Sequence, residues 1–431
     1  MNELSSLYNL KQEIPIMQHS SPIDRILSSY QAHTQDFPPL STRVILVRHG
    51  HSTFNEQGRY QGSSDAATLT EKGKVAAWQT AAALMDLPID AIYASPLARA
   101  KQTLYEMMTV IGDTAGLRPI ELLDHLREID MPAWEGLSFQ QVKEQFSEDY
   151  TCWKQRPHEL QMYHADRSPC SPVLDLYQRA QEFWQTVLPR HRGQTFLVVS
   201  HGGTNHALIS TALGISPEYH HTIQQSNCGI SILEFPMGTQ QAQLRAVNLT
   251  EHLGETLPKL KEGKKGLRLT LVPCTEGADY EGIATLLQSI PIDFSLSITS
   301  EPSQQAIAQI LRHHPTAIQF QTEREDLAQA WQRSMAHQRR FHPQVMTGLV
   351  VASIPVLQSL IGQALEYRRV HIAVPNPLTD SIHLQPETLS VLHYPSAEHP
   401  PILQALNFGQ KLIPCTSPIL QSIEFKEQTH V

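Results

Sequence analysis

The sequence predicts an α/β fold built on a mainly parallel sheet, repeated as two similar domains in tandem. Three observations carry this. Short β-branched runs alternate with longer helix-forming segments. The first run drives straight into Arg48-His49-Gly50, a stop that suits the carboxyl end of a buried parallel strand. The same alternation starts again after residue 266.

Residues 1–40 are polar and Pro-bearing and read as an appended arm, with a short helix around Asp24 to His33. "RVILV" reads as a buried strand. "TLTEKGKVAAWQTAAALMDL" offers Thr70 as N-cap, an acidic first turn and then strong helix formers. "PIDAIYASP" is a second strand ending at Ser95-Pro96, and a helix is expected from Leu97 through Met108. "QTFLVVSHGGTNHALISTALG" is a third strand, a glycine turn and a helix.

The lysine-rich, glycine-punctuated stretch 254–266 reads as a linker between an active domain, 41–253, and a second domain, 267–431. "LRLTLVPCT" mirrors "TRVILVRHG", and "PID" recurs at 88–90 and 291–293. "GLVVASIPVLQSLIGQAL" mirrors "TFLVVSHGGTNHALISTAL". That last match turns the apolar stretch 347–365, long enough for a marginal membrane span, into strand-turn-helix.

A formal charge of -9 argues against nucleic acid and anionic membranes as partners, so an anionic ligand needs a local cluster of positive groups. The five scattered cysteines lack a CxxC pair, which fits a reducing compartment. The N-terminus has neither a basic start nor an apolar core, and its acidic residues disfavour a transit peptide. A cytoplasmic location is therefore expected.

Strand carboxyl ends gather Arg48, His49 and Gly50, then Ser95 with Arg99, then His201, Gly202 and Gly203. Two guanidinium groups and two imidazoles in one crevice suit a phosphoryl group. The segments "LVRHGHSTFN", "YQGSSD", "TLTEKG", "YASPLARAKQT", "LREIDMPAWEG" and "VVSHGG" resemble, in order, those of the histidine phosphatase superfamily over about residues 42–250. The resemblance implies two three-layer α/β/α domains of phosphoglycerate-mutase-like fold. It also implies His49 as the nucleophile that forms a phosphohistidine. Arg48 and Arg99 would be phosphate clamps, and His201 a second phosphate-binding histidine, protonated in the complex.

Glu128 would be the general acid and base, with Glu135 and Asp130 close enough in sequence to be confused with it. Asn55, Gln61, Gly62 and Gly202 match positions that bind substrate. No metal or cofactor is implied, because the arginines and histidines supply the positive charge. The adjacent pairs His220-His221 and His313-His314 lack zinc-site spacing and read as surface residues. Two departures stand out. His51 replaces the usual Glu or Gln after Arg-His-Gly, and Pro132 replaces a glycine before "WEG".

In the second domain Pro273, Cys274 and Thr275 stand for Arg48, His49 and Gly50, and Ser353 stands for His201. Aligning Ser95 with Ser300 sets Gln304 opposite Arg99. Cys274 is not a replacement nucleophile of the cysteine-phosphatase kind, since Tyr280 occupies the place of the arginine such a loop needs. The second copy is expected to be inactive, an architecture resembling the plant 2-carboxyarabinitol 1-phosphatases. The expected activity is hydrolysis of a small phosphorylated metabolite, a sugar or sugar acid phosphate. A phosphoglycerate mutase is the alternative, although the "ERHYG" segment is absent. A non-enzymatic scaffold with a vestigial site is the third reading. Specificity is expected from residues 58–65 and from the insertion between Trp134 and Phe196. Oligomerisation is open, and two paired domains in one chain could mimic a dimer.

Overall fold

The computed structural model describes residues 41–112, 119–323, 344–366, 378–396 and 399–409. The arm and its expected helix lie outside the described residues, as does Cys415.

Twelve strands form one sheet. The first half contributes β1 (Thr42–Arg48), β2 (Ala91–Ala94), β3 (Ile120–Leu122), β4 (Thr195–Ser200), β5 (Ile230–Phe235) and β6 (Gln243–Leu249). The second contributes β7 (Gly266–Pro273), β8 (Phe294–Ile298), β9 (Ile318–Thr322), β10 (Val345–Ala352), β11 (Leu389–Tyr394) and β12 (Ile402–Phe408). The order across the sheet is β9-β8-β10-β7-β11-β12-β6-β5-β1-β4-β2-β3. Each half thus runs in the same strand order from its outer edge to the middle. The two halves are joined edge to edge, β12 meeting β6 antiparallel at Leu406 and Val247.

The register follows the sequence repeats. Val47 pairs with Val199 across β1 and β4, and Val272 pairs with Val351 across β7 and β10. Asp90 exchanges hydrogen bonds with the Thr195 backbone through its own N–H and a carboxylate oxygen, and Asp293 does the same with Thr347. The seam between the halves is reciprocal. Asn248 Nδ2 donates to the Gln404 carbonyl at 2.7 Å, and Asn407 Nδ2 donates to the Arg245 carbonyl at 2.7 Å. Both asparagines have positive φ, 54° and 58°, in the left-handed region that asparagine tolerates better than other side-chain-bearing residues.

Helices cover both faces. They are α1 (Glu71–Leu84), α2 (Ala98–Ile111), α3 (Pro172–Val187), α4 (Gly202–Leu213), α5 (Glu281–Leu287), α6 (Glu301–Ile310) and α7 (Ile354–Leu365). Side chains alternate along each strand, so β1 sends Val44 and Leu46 to one face and Ile45 and Val47 to the other. The first face has one core running through both halves, with residues of α3, α4 and α7. The opposite face has two cores, one with α1 and α2 and one with α5 and α6. Thr70 caps α1 by accepting from Gly73 N, as its sequence predicts.

Residues 347–365 fold as the end of β10 followed by α7, and among the described residues no helix is long and apolar enough to cross a membrane. The histidine pairs need correction. His220 is buried at 5% exposure and packs against His206 with ring centroids 4.8 Å apart; His221 is partly buried and bonds the Trp153 carbonyl; His314 is buried. Only His313 of the four is an exposed residue. An adjacent pair straddles inside and outside, a distinction that spacing alone does not draw.

Candidate active site

β1, β4 and β2 lie side by side, and their carboxyl ends are fastened together by backbone hydrogen bonds. His49 N donates to the Ser200 carbonyl at 2.8 Å, and Ser95 N donates to the Val199 carbonyl at 3.0 Å. This brings four of the expected residues to one place. His49 and His201 are 1% and 0% exposed, and their ring centroids are 5.2 Å apart. Arg99, on the first turn of α2, is fully buried, and Arg48 is partly buried at the end of β1.

Hydrogen bonds set which ring nitrogens are free. His49 Nδ1 lies 2.7 Å from its neighbour's carbonyl, Gly50 O. A carbonyl only accepts, so Nδ1 carries the proton and Nε2 keeps its lone pair. Ser95 Oγ accepts from Leu97 N and lies 2.7 Å from His201 Nε2. With the serine hydroxyl donating to Nε2, the N–H of His201 lies on Nδ1, which is buried and finds no partner in the protein. Burial, reinforced by Arg48 and Arg99, holds His49 well below the ordinary histidine range. Burial, Arg99 and His49 do the same to His201. The resting site therefore holds both rings neutral; the protonated His201 expected from the sequence requires a bound anion to reverse that balance.

Arg99 Nη2 and Nη1 donate to the Gly62 and Ser64 carbonyls at 2.8 and 3.0 Å, which fixes the loop after Gln61. Arg48 Nη1 donates to the Gln225 carbonyl at 2.9 Å. The Nε of each arginine is buried and unpartnered. Buried donors almost always find an acceptor, so three orphans around one imidazole mark a place for a ligand rich in acceptors.

Glu128 sits under the start of α4. Its Oε1 accepts from Ile129 N at 2.9 Å and Thr204 N at 3.1 Å, and its Oε2 from Gly203 N at 3.1 Å. Glu135 accepts from Gly62 N at 2.9 Å; burial pushes its carboxyl upward despite bonds from Gly62 and Ser64. Asp130 takes the Ser63 hydroxyl at 2.6 Å.

Of the expected binding residues, Gly62 is required by close approach, and Gly202 is in tight contact with Arg48. A Cβ on Gly62 would lie 2.8 Å from both Glu135 Oε2 and the Ile129 carbonyl, and one on Gly202 would lie 3.3 Å from Arg48 Nε. Asn55 and Gln61 spend their side-chain oxygens on the protein itself. Asn55 Oδ1 accepts from Ser52 N and Asn227 Nδ2, and Gln61 Oε1 from Ser52 Oγ. His51 is half-buried and turns to Thr70 Oγ1 at 3.1 Å, away from the paired imidazoles.

Two contributors were missed by sequence reasoning. Asn227 Nδ2 reaches the His49 carbonyl at 3.0 Å, the Gly50 carbonyl at 3.2 Å and Asn55 Oδ1 at 3.0 Å. Thr103 Oγ1 accepts from Gly50 N at 2.9 Å. Its place one helical turn after Arg99 was the available signal.

The corresponding crevice of the second half is differently filled. Cys274 N donates to the Ala352 carbonyl as His49 N does to Ser200. The buried Tyr280 hydroxyl, however, lies against Thr275 N and the Pro273 carbonyl. The start of α6 at Glu301, with Ser300 as cap, matches the start of α2 at Ala98, with Leu97 as cap. Pro302, not Gln304, therefore stands in the place of Arg99.

A sequence profile described as histidine phosphatase superfamily (branch 1) matches residues 44–249. A 2-carboxy-D-arabinitol-1-phosphatase of Triticum aestivum is 41% identical over 205 residues, 46% of this chain and 38% of that protein. A probable 2-carboxy-D-arabinitol-1-phosphatase of Arabidopsis thaliana is 32% identical over 292 residues, 66% of this chain and 58% of that protein. The chain thus spans less than two thirds of either plant protein. Phosphoserine phosphatase 1 of Hydrogenobacter thermophilus is 32% identical over 213 residues, 49% of this chain and 95% of that protein. Among solved structures, Bacillus stearothermophilus YhfR aligns with a TM-score of 0.41 and 27% identity, over 47% of this chain and 95% of that one.

Proposed function

We propose that this chain, which belongs to branch 1 of the histidine phosphatase superfamily, is a phosphoric monoester hydrolase working through a phosphohistidine on His49. The observation that carries the reading is the ring of unpartnered donors, Arg48 Nε, Arg99 Nε and His201 Nδ1, around a neutral His49 whose free nitrogen is Nε2. Nε2 attacks phosphorus in line with the ester oxygen, forming an N–P bond as the P–O bond breaks. The guanidinium and imidazole donors hold the non-bridging oxygens while charge moves onto them. Glu128 donates a proton to the leaving oxygen, then takes one from the water that cleaves the N–P bond and regenerates the imidazole.

The substrate is a small phosphorylated metabolite, a sugar or sugar acid phosphate; the plant relatives named for 2-carboxy-D-arabinitol-1-phosphate support that class. The catalytic unit is 41–253 and the stretch 254–266 links it to 267–431, a degenerate copy. Shared strand order, shared register and the substitutions at Pro273, Cys274, Pro302 and Ser353 support this. Four free cysteines among the described residues fit a reducing, cytoplasmic setting.

Rapid-quench turnover of a phosphate ester, with chelator present, tests the mechanism. An acid-labile phosphoryl adduct on His49, absent from His49→Ala, is expected. Wild-type turnover by His49→Ala refutes the assignment. Isomerised phosphate ester in place of free phosphate would favour mutase chemistry.

A further inference from the structure

The stretch between the two halves does not pass freely through solvent. Leu257 is buried, and the Lys259 carbonyl accepts from Gln224 Nε2 at 3.0 Å in the first half. The second half holds it too: Arg268 Nη2 donates to the Pro258 carbonyl at 2.9 Å, and His393 Nε2 lies 2.9 Å from the Lys265 carbonyl. Glu262 is taken by Lys154 at 2.8 Å. Pinned on both sides, the strap carries Lys261 to the catalytic crevice.

There the Lys261 ammonium contacts the Gln225 carbonyl, the same oxygen that receives Arg48 Nη1. Two cations share one neutral acceptor. Of the nearby carboxylates, Glu262 is held by Lys154 and one oxygen of Glu255 by Lys259, the other oxygen of Glu255 being buried without a partner in the protein. Burial of the ammonium end and repulsion from Arg48 hold it well below the ordinary lysine range, against the pull of Glu255 and Glu262, and an anion lodged beside the two cations relieves the repulsion. The residue as a whole is exposed, whereas Arg48 is partly buried, an arrangement that suits contact with the remainder of a substrate more than with the phosphoryl group.

We propose that Lys261 is a specificity-determining residue, binding a second anionic group, such as a carboxylate, on the phosphate ester held by Arg48, Arg99 and His201. This rests on the phosphatase reading above. It also gives the second half a task, holding a cation at the mouth of the first half's site.

The test uses the full chain and two esters of one skeleton, 3-phosphoglycerate and glycerol 3-phosphate, which differ by a carboxylate against a hydroxymethyl group. Calorimetric titration of His49→Ala chains, with and without Lys261→Ala, gives dissociation constants without turnover. Lys261→Ala is expected to weaken 3-phosphoglycerate about tenfold or more and glycerol 3-phosphate less than about twofold, with Lys261→Arg retaining the preference. Equal weakening of both esters, no weakening, or failure of either to bind overturns the proposal. Hydrolysis of p-nitrophenyl phosphate by the unmutated chain reads the phosphatase assignment separately. Selective binding without hydrolysis sinks that assignment alone, and hydrolysis without selectivity sinks the role of Lys261 alone.

Discussion

Replacing Asn407 with alanine is expected to destabilise both halves, although the residue lies in the second. Its Nδ2 donates to the Arg245 and His383 carbonyls, each at 2.7 Å, and its Oδ1 accepts from Gln385 N at 3.0 Å. It is 4% exposed, so alanine removes three hydrogen bonds to backbone groups, and a fourth from Thr388 Oγ1 at 3.1 Å, in a site with little access to water. At a net contribution of about 1 kcal/mol each, the three hydrogen bonds to the backbone come to about 3 kcal/mol. The φ of 58° adds about 1 kcal/mol for a residue with a Cβ and no polar side chain to compensate. The total, about 4 kcal/mol, is a large part of ordinary domain stability. Asn407→Gly relieves the backbone cost and should recover about 1 kcal/mol of it. Four of the five tryptophans, Trp78, Trp134, Trp153 and Trp184, precede β7, so tryptophan fluorescence during urea unfolding reports mainly on the first half. A joined sheet predicts that this signal moves to lower urea in Asn407→Ala. An unmoved tryptophan midpoint, or a loss under about 1 kcal/mol, refutes the reasoning.

Glu128→Gln is expected to slow hydrolysis of glycerol 3-phosphate by about a hundredfold or more, and of p-nitrophenyl phosphate by less, because a good leaving group needs little protonation; the same pattern in Glu135→Gln instead would move the acid to that residue. Gly203→Ala should reduce kcat on the poor leaving group in the same way, since its Cβ would lie 2.7 Å from Glu128 Oε1 and push the carboxylate aside; unchanged kcat argues against Glu128 acting from this position. Burial lowers His220 to about 3. The unfolded chain therefore binds the extra proton first: its stabilising contribution is full above about pH 6.5 and falls by about 1.4 kcal/mol per pH unit below it, until the folded value is reached. Urea titrations from pH 7 to pH 5 should show that slope reduced in His220→Gln, and an identical slope refutes the buried neutral ring. Inorganic phosphate at about a hundred times its dissociation constant should stabilise the chain by about 2.7 kcal/mol, and Arg48→Met should abolish the shift; a shift kept in that variant would place the anion elsewhere.

What could be read from the sequence divides along physical lines. β1, β2, β4 and their following helices announce themselves by local means, apolar runs, an N-cap threonine and abrupt glycines. Parallel-sheet topology then brings Arg48, His49, Arg99 and His201 together without knowledge of any contact. The repeats also carried register, since Val47 with Val199 and Val272 with Val351 meet as the matched segments imply. Asn227 and Lys261 were illegible because each acts through a tertiary contact from a segment with no periodicity. The match of Ser95 to Ser300 followed residue identity, whereas the backbone aligns helix starts, and that slip put Gln304 where Pro302 stands. The reciprocal bonds of Asn248 and Asn407 require knowing that β6 and β12 are neighbours, which no local pattern encodes.

The site is costly for folding. Two guanidinium groups are drawn into the protein, and three of the surrounding N–H donors find no acceptor within it, when each buried donor left unmade costs about 1–3 kcal/mol. Hydrophobic replacement would be the more stable solution for folding alone. The second half is consistent with that view: at the corresponding strand end Tyr280 satisfies Thr275 N and the Pro273 carbonyl, and no arginine stands at the place of Arg99. Two crevices on one sheet, alike in topology, thus differ in whether their donors are spent on the protein or left for a ligand. That contrast separates the demands of folding from those of chemistry within a single chain. Under the function proposed above, the unspent donors of the first half serve an anion, and the strap between the halves decides which anion fits.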